Sequence, residues 1–222
     1  MTPELILSLF DGLGIFVFGL SGGLMAVRQK FDLLGVIVIS FLPAIGGGTL
    51  RDLLLDQPVF WLSEPYILWL PTLAGILAFI SPDRLSRIRS LKWIDAGGLA
   101  LFAVVGASKA MELGYGPGIC ILMGTMTATA GGVIRDVVCN ETPLLLRQDI
   151  YATAAILGAT AFFIARTLVL SDLVSLSLGA SICFIVRALS LHFGWNLPSP
   201  ETGPETGLEI GPDTGKNTET KR

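Results

Sequence analysis

Gly46-Gly47-Gly48-Thr49-Leu50-Arg51-Asp52 and Ala130-Gly131-Gly132-Val133-Ile134-Arg135-Asp136 are two copies of one short phrase, 84 positions apart. Each copy lies in or at the end of a long apolar stretch. Glycines weaken a helix and an Arg-Asp pair is costly in lipid, so the chain carries the same two penalties twice. The offset of 84 aligns much else without a gap. Asp11 falls on Asp95, Gly14 on Gly98, Phe18 on Phe102, Gly22 on Gly106, Ala26 on Ala110, Ala44 on Ala128, and Phe79-Ile80 on Phe163-Ile164. The chain is an internal duplication.

The composition around the phrase is that of a bilayer protein. Of 222 residues, 52% are hydrophobic and 15% charged, and mean hydropathy is +0.70, far from soluble averages. The 26 glycines fit, because glycine is commoner in membrane helices than in soluble ones. The formal charge of -3 says little about the body of the protein, since several of the acids lie after Pro198. Cys120, Cys139 and Cys183 sit in or beside apolar runs and read as buried thiols, with no zinc-site or disulfide spacing. The first apolar segment has no basic residues before it and runs for the roughly 20 residues of a spanning helix, which favours a first span over a cleaved signal.

Seven spans are predicted, at about 5–27, 33–54, 66–82, 93–112, 117–139, 149–169 and 172–194. The first repeat covers about 5–82, the second about 93–169, and the seventh helix follows. The stretch from Arg84 to Lys92 joins the repeats. Residues 198–222, rich in Glu, Thr, Gly and Pro, cannot bury a core and are expected to be a disordered tail to the 1–197 membrane domain.

Basic residues set the orientation. Arg28 and Lys30 lie in the 1–2 loop, Arg84, Arg87, Arg89 and Lys92 in the 3–4 loop, Arg147 in the 5–6 loop, and Lys221-Arg222 at the end of the tail. These loops and the C-terminus are expected in the cytoplasm, with the N-terminus outside, in a multi-pass protein of the cell's inner (plasma) membrane. With three helices per repeat, the second repeat enters from the opposite side to the first. That is the inverted-repeat architecture of many transport proteins, with function expected near the midplane.

Gly46, Gly47 and Gly48, with Pro43 before them, and Gly131 and Gly132 are expected to kink or break the second and fifth spans. A break frees backbone groups that are tolerated at depth only against protein or water. The alternative is that the glycines simply let helices pack closely. Arg51 and Arg135 each follow their glycines by three and four residues and so share a helical face with them. Three roles fit them: a functional charge at depth, snorkelling to the headgroups, or structural pairing with Asp52 and Asp136 that also shapes pore electrostatics. Asp11 and Asp95, placed near the starts of the first and fourth helices, are candidate cross-repeat partners for the arginines. An acid at a helix N-terminus explains them equally well.

Asp11, Gly14, Phe18, Gly22 and Ala26 fall on one face of the first helix, a stripe that suits close packing. Lys109 stands where the first repeat has Met25. It either projects into an aqueous cavity, where it would take part in gating, or snorkels to the interface. Thr125, Thr127 and Thr129, together with Ser21, Ser40 and Ser108, are candidates for a hydrated lining, although such hydroxyls commonly bond their own backbone. No phosphate loop, nucleophile-base set or basic aromatic surface occurs, so neither an enzyme nor a nucleic-acid binder is expected.

The doubled Gly-Gly-x-x-Arg-Asp phrase, in two three-helix repeats plus a seventh helix, resembles the bacterial branch of the trimeric intracellular cation (TRIC) channel family from about residue 5 to 194. The resemblance implies a homotrimer with one pore per subunit, lined by the kinked second and fifth helices with help from the first and fourth, and passive conduction of monovalent cations, chiefly potassium. It implies Gly46, Gly47, Gly48, Gly131 and Gly132 as kink residues, with Arg51, Asp52, Arg135 and Asp136 beside them. No cofactor is implied beyond permeant K+ or Na+ and bound membrane lipid. In animal members a fourth-helix lysine is tied to voltage gating and lipid block; Lys109 with Glu112 departs from their adjacent Lys-Glu pair. The same bacterial sequences are associated with a glycine-transporter label, so a secondary carrier of a small polar solute such as glycine is the alternative.

Overall fold

The computed structural model describes residues 3–80, 88–146 and 150–195, and all the regular structure in these residues is helical. The predicted tail at 198–222, and Arg84, Arg87 and Arg147 of the orienting loops, lie outside the described residues. The helices are α1 (Pro3–Arg28), α2 (Leu33–Leu54), a four-residue α3 (Phe60–Ser63), α4 (Trp69–Ile80) entered through a 3-10 turn at Pro65–Leu68, α5 (Ile88–Glu112), α6 (Pro117–Val138), α7 (Ala152–Thr167) and α8 (Asp172–Phe193). A second 3-10 turn, Leu144–Leu146, precedes α7.

Among the described residues, five helices are long and apolar enough to cross a membrane: α1, α2, α5, α6 and α8. The third and sixth predicted spans are shorter, at Pro65–Ile80 and Ala152–Thr167. The stretch expected to link the repeats is partly helix, since α5 starts at Ile88 and contains Lys92.

Local chemistry sets the helix ends, differently at the starts of α2 and α6 and alike just past the C-termini of the paired helices. The Asp32 carboxylate accepts from the Gly35 N–H at 2.7 Å and caps α2, whereas α6 starts with Pro117, whose missing N–H is harmless in the first turn. Just past α2 and α6 the chain turns through Asp56 (φ 52°) and Asn140 (φ 54°), two short polar residues that tolerate the left-handed region, 84 positions apart. Just past α1 and α5 the equivalent turn falls on Lys30 (φ 60°) and Gly114 (φ 80°).

Packing follows the small residues. Phe18 of α1 and Phe102 of α5 meet at 5.2 Å between ring centroids, and each ring covers a glycine of the opposite helix. A Cβ on Gly98 would come within 2.6 Å of Phe18, and one on Gly14 within 2.5 Å of Phe102. α2 and α6 cross in the same reciprocal way. Gly47 lies against the Thr127 carbonyl, and a Cβ on Gly131 would stand 2.5 Å from the Pro43 carbonyl. Each partner is the other's counterpart at the 84-residue offset. α4 fits against α1 and α2 through Gly75, Ala74 and Ala78, while α8 rests on α5 and α7 through Gly179 and Cys183. In lipid, where no hydrophobic force drives helices together, such close backbone contact is a main source of cohesion.

The expectation of a broken helix is corrected. α2 runs as α-helix from Leu33 to Leu54 through Pro43 and three glycines, and α6 from Pro117 to Val138 through two. No stretch is unwound. The glycines are filled by the neighbouring helix, so the backbone they leave bare serves as a packing surface.

Candidate functional site: two buried charge clusters on α2 and α6

Both copies of the phrase end in a buried Arg-Asp pair with the same wiring. Arg51 Nε donates to Asp52 Oδ1 at 2.8 Å, and Asp52 Oδ2 accepts the Phe60 N–H at 3.0 Å. Arg135 Nε donates to Asp136 Oδ1 at 2.8 Å, and Asp136 Oδ2 accepts the Leu144 N–H at 3.0 Å. Each aspartate therefore does two jobs. It neutralises the adjacent arginine and holds the first backbone N–H of the short turn that follows the helix. Burial makes the pairing obligatory, since removing one member leaves the other charged away from water at a cost of ~3–5 kcal/mol.

The clusters differ beyond this shared frame. Arg135, fully buried, also donates through Nη1 to Asp95 Oδ1 of α5 at 2.6 Å and to Ser21 Oγ of α1 at 2.5 Å. One guanidinium thus ties three helices and both halves of the sequence. Arg51 has the Phe60 ring 5.9 Å from its Cζ and no such spread of partners. Its equivalents of Ser21 and Asp95 are Val105, which has no hydroxyl, and Asp11, which makes no ion pair with Arg51 within 4.0 Å. The cross-repeat pairing expected for the two aspartates is thereby corrected: Asp95 pairs inside its own half, and the contact that crosses is the Ser21 hydroxyl. The helix N-terminus reading also fails. Asp11 and Asp95 lie about two turns inside α1 and α5, beyond the first turn over which the dipole acts.

The other candidates fall into place around these clusters. Lys109 is half-buried in the last turn of α5, and its charge, with those of Arg51, Asp52 and Glu64, acts on the Asp11 carboxylate. Ser40, Thr125, Thr127 and Thr129 each donate to the carbonyl four residues back, at 2.8, 2.8, 2.6 and 2.8 Å. Ser40 Oγ moreover fills the space beside Gly23 and Gly75. These hydroxyls are spent on the backbone. Gly48 faces the Phe60 ring and Gly132 the Tyr151 hydroxyl, each 2.7–2.9 Å from where a Cβ would stand.

A cavity of about 140 Å³ opens onto the second cluster, lined by Met25, Arg28, Leu91, Lys92, Asp136, Glu141, Thr142 and Leu144. Its walls come from the ends of the helices at the 1–2, 3–4 and 5–6 loops, and Gln29 bonds Glu141 across it at 3.3 Å. Among the described residues, the end of α1, the start of α5 and the end of α6 thus meet at one end of the molecule. Two functional-looking residues went unflagged in the sequence. Arg187 sits fully buried within the last two turns of α8; a lone arginine within Phe184-Ile185-Val186-Arg187-Ala188-Leu189 is signal enough. Tyr151, at the start of α7, carries no such mark.

With this geometry described, comparison with known proteins is decisive. The family model described as Glycine transporter matches residues 8–82 and again 92–167, two matches that begin 84 positions apart. A TRIC trimeric intracellular cation channel orthologue from Rhodobacter sphaeroides is 40% identical and superposes with a TM-score of 0.82, covering 86% of this chain and 99% of that one. The chain belongs to this family, the bacterial TRIC proteins. The UPF0126 inner membrane protein YadS of Escherichia coli K12 is 36% identical over 85% of this chain and 93% of its own length. A UPF0126 membrane protein of Deinococcus radiodurans is 43% identical over 69% of this chain and 74% of its own. This bacterial TRIC protein is a multi-helix membrane protein, and its likeness to the channel structures supports a cation channel rather than an enzyme.

Proposed function

We propose that the chain is a passive channel for monovalent cations, chiefly potassium, with one path in each subunit of a homotrimer. Seven helices span the inner membrane as two inverted three-helix repeats and a seventh helix, with the N-terminus outside. The path runs along the α2–α6 crossing, with α1 and α5 beside it. Arg51-Asp52 lies toward the outer side and Arg135-Asp136 toward the inner side, where the cavity of about 140 Å³ is the cytoplasmic mouth.

The observation that carries this reading is the reciprocity of the two halves. Gly47 lies against residue 127 and Gly131 against residue 43, and Phe18 meets Phe102. Such contacts between equivalents are what a two-fold axis in the membrane plane would give, and they support reading the two buried charged pairs as the ends of one path. The glycines give α2 and α6 the freedom to bend that gating needs. Lys109, close to Asp11, sets the charge of the outer end, and a lipid headgroup at the outer cluster is the bound lipid expected.

The carrier reading keeps one specific support. The cavity presents Arg28 and Lys92 together with Asp136 and Glu141, both signs of charge, as a small zwitterion such as glycine would need. Potassium-loaded liposomes with a potential-sensitive dye separate the two. A channel gives potassium flux without glycine; saturable glycine uptake with no potassium flux would sink the channel reading.

A further inference from the structure

Of the six left-handed residues among those described, five are polar or glycine: Lys30, Asp56, Asn140, Gly114 and Gly194. The sixth is Val169, at φ 60° in the turn between α7 and α8. A β-branched side chain is strained in that region, because its Cβ crowds the following carbonyl. Val169 is also 89% exposed, and Leu168 and Leu170 on either side of it are exposed too. The chain therefore keeps its one apolar left-handed residue on a bare apolar tip. Strain of this kind persists where the surroundings favour that side chain at that place.

The polar groups of the tip are turned inward. The N–H groups of Leu168, Val169 and Leu170 donate to the carbonyls of Ile164, Arg166 and Ala165 at 3.0, 3.0 and 3.2 Å. The Leu170 carbonyl accepts from Arg166 Nη1 at 3.1 Å, and the same Nη1 lies 2.8 Å from Asp172 Oδ1 at the start of α8. One guanidinium thus straps the turn and cancels the acid beside it. The Thr167 hydroxyl donates to the Ile164 carbonyl at 2.8 Å. Backbone can rest against hydrocarbon only when its groups are satisfied from within. A turn made for water needs no such strap.

The bare apolar surface does not stop at the tip. Leu157 and Ile164 continue it along α7, and Leu173, Val174 and Leu178 along α8, a helix long and apolar enough to cross a membrane. Met111, Ile121, Phe162 and Leu176 share one apolar cluster, so the turn stands beside the end of α5 and the start of α6, opposite the cavity. We propose that Leu168-Val169-Leu170 is a membrane anchor that dips into the leaflet at that end, with lipid as its occupant. Thr167 and Ser171, exposed on its two flanks, set it at the border of the acyl chains rather than deep among them. Apolar side chains removed from water offset the strain at Val169. The anchor fixes the depth of α8, the helix outside both repeats, and needs no ion path.

Nitroxide labels on V169C and L168C in proteoliposomes test this, with D56C as the polar turn for comparison. Cys120, Cys139 and Cys183 are buried, and the unsubstituted protein gives the labelling background. Collisions with oxygen, which concentrates in lipid, are compared with collisions with a water-soluble nickel chelate. Labels on V169C and L168C should collide more often with oxygen, and the label on D56C more often with the chelate. A tip dominated by chelate collisions lies in water and overturns the proposal. A label on V169C that is immobilised and spin-coupled to its copy puts protein over the tip and overturns it too. R166M tests the strap. A freed Leu170 carbonyl and an unpaired Asp172 should draw the turn toward water, so the label on V169C should lose its oxygen preference. An unchanged preference in R166M removes the strap from the account, and if R166M does not fold, V169C and L168C decide alone. No readout here depends on ion flux, so a failed anchor and a failed channel reading stay distinguishable.

Discussion

The Arg51 and Arg135 clusters descend from one phrase, yet one is a pair and the other a knot. Each arginine meets its own aspartate, and each aspartate ties down the turn that follows. Arg135 then gathers Asp95 and Ser21, while Arg51 has a ring on one side and a valine where the serine would be. Two substitutions at equivalent places, Ser21 against Val105 and Met25 against Lys109, account for much of the difference. They make the second cluster tight, and the first looser with Lys109 acting on Asp11. A duplicated half can keep its scaffold while its charges are retuned, because the scaffold is held by glycine contacts and the tuning by side chains that face them.

The comparison breaks most severely at the arginines. R135M leaves Asp95 and Asp136, both in direct ion pairs with it, without their cation and is expected to cost ~3–5 kcal/mol, whereas R51M breaks one direct pair, with Asp52 still held by the Phe60 N–H and Asp11 only at longer range, and should cost less. Thermal unfolding in detergent measures both, and equal losses would refute the difference drawn between the clusters. Next come the glycines, where the halves should behave alike. G47A and G131A each push a methyl into a backbone carbonyl that cannot rotate away, and each should lose ~1–3 kcal/mol, while G116A, with open space around it, should lose little. The smallest effect sharpens the comparison. S21V removes one hydroxyl from Arg135 and should cost about 1 kcal/mol, while V105S offers Arg51 the hydroxyl it lacks and should recover a few tenths of that in the other half.

Much of this was legible in the chain. The offset of 84 gave the equivalences that later proved to be contacts, because a residue on a pseudo-axis meets its own copy, as Phe18 meets Phe102. Asp11 and Asp95 were read as equivalent, but their partners were not readable. Which half binds a given aspartate depends on helix rotation, and a single serine-to-valine change decides whether the arginine is held across the halves. The threonines looked like a polar lining because Thr125, Thr127 and Thr129 alternate. Spacing cannot reveal that each hydroxyl has already been taken by the carbonyl one turn back. The glycines suggested breaks, yet a helix can run through them when a neighbouring helix fills the groove. Arg187 lies outside both repeats, so the 84-residue offset carries no signal for it.

The central claim is that cations pass unaided along the α2–α6 crossing between two charge clusters. Purified wild-type protein in a planar bilayer under a potassium chloride gradient tests it most directly. The account predicts discrete current steps that reverse close to the potassium equilibrium potential and need no glycine. A silent bilayer, or transport that saturates and appears only when glycine is supplied, would contradict it.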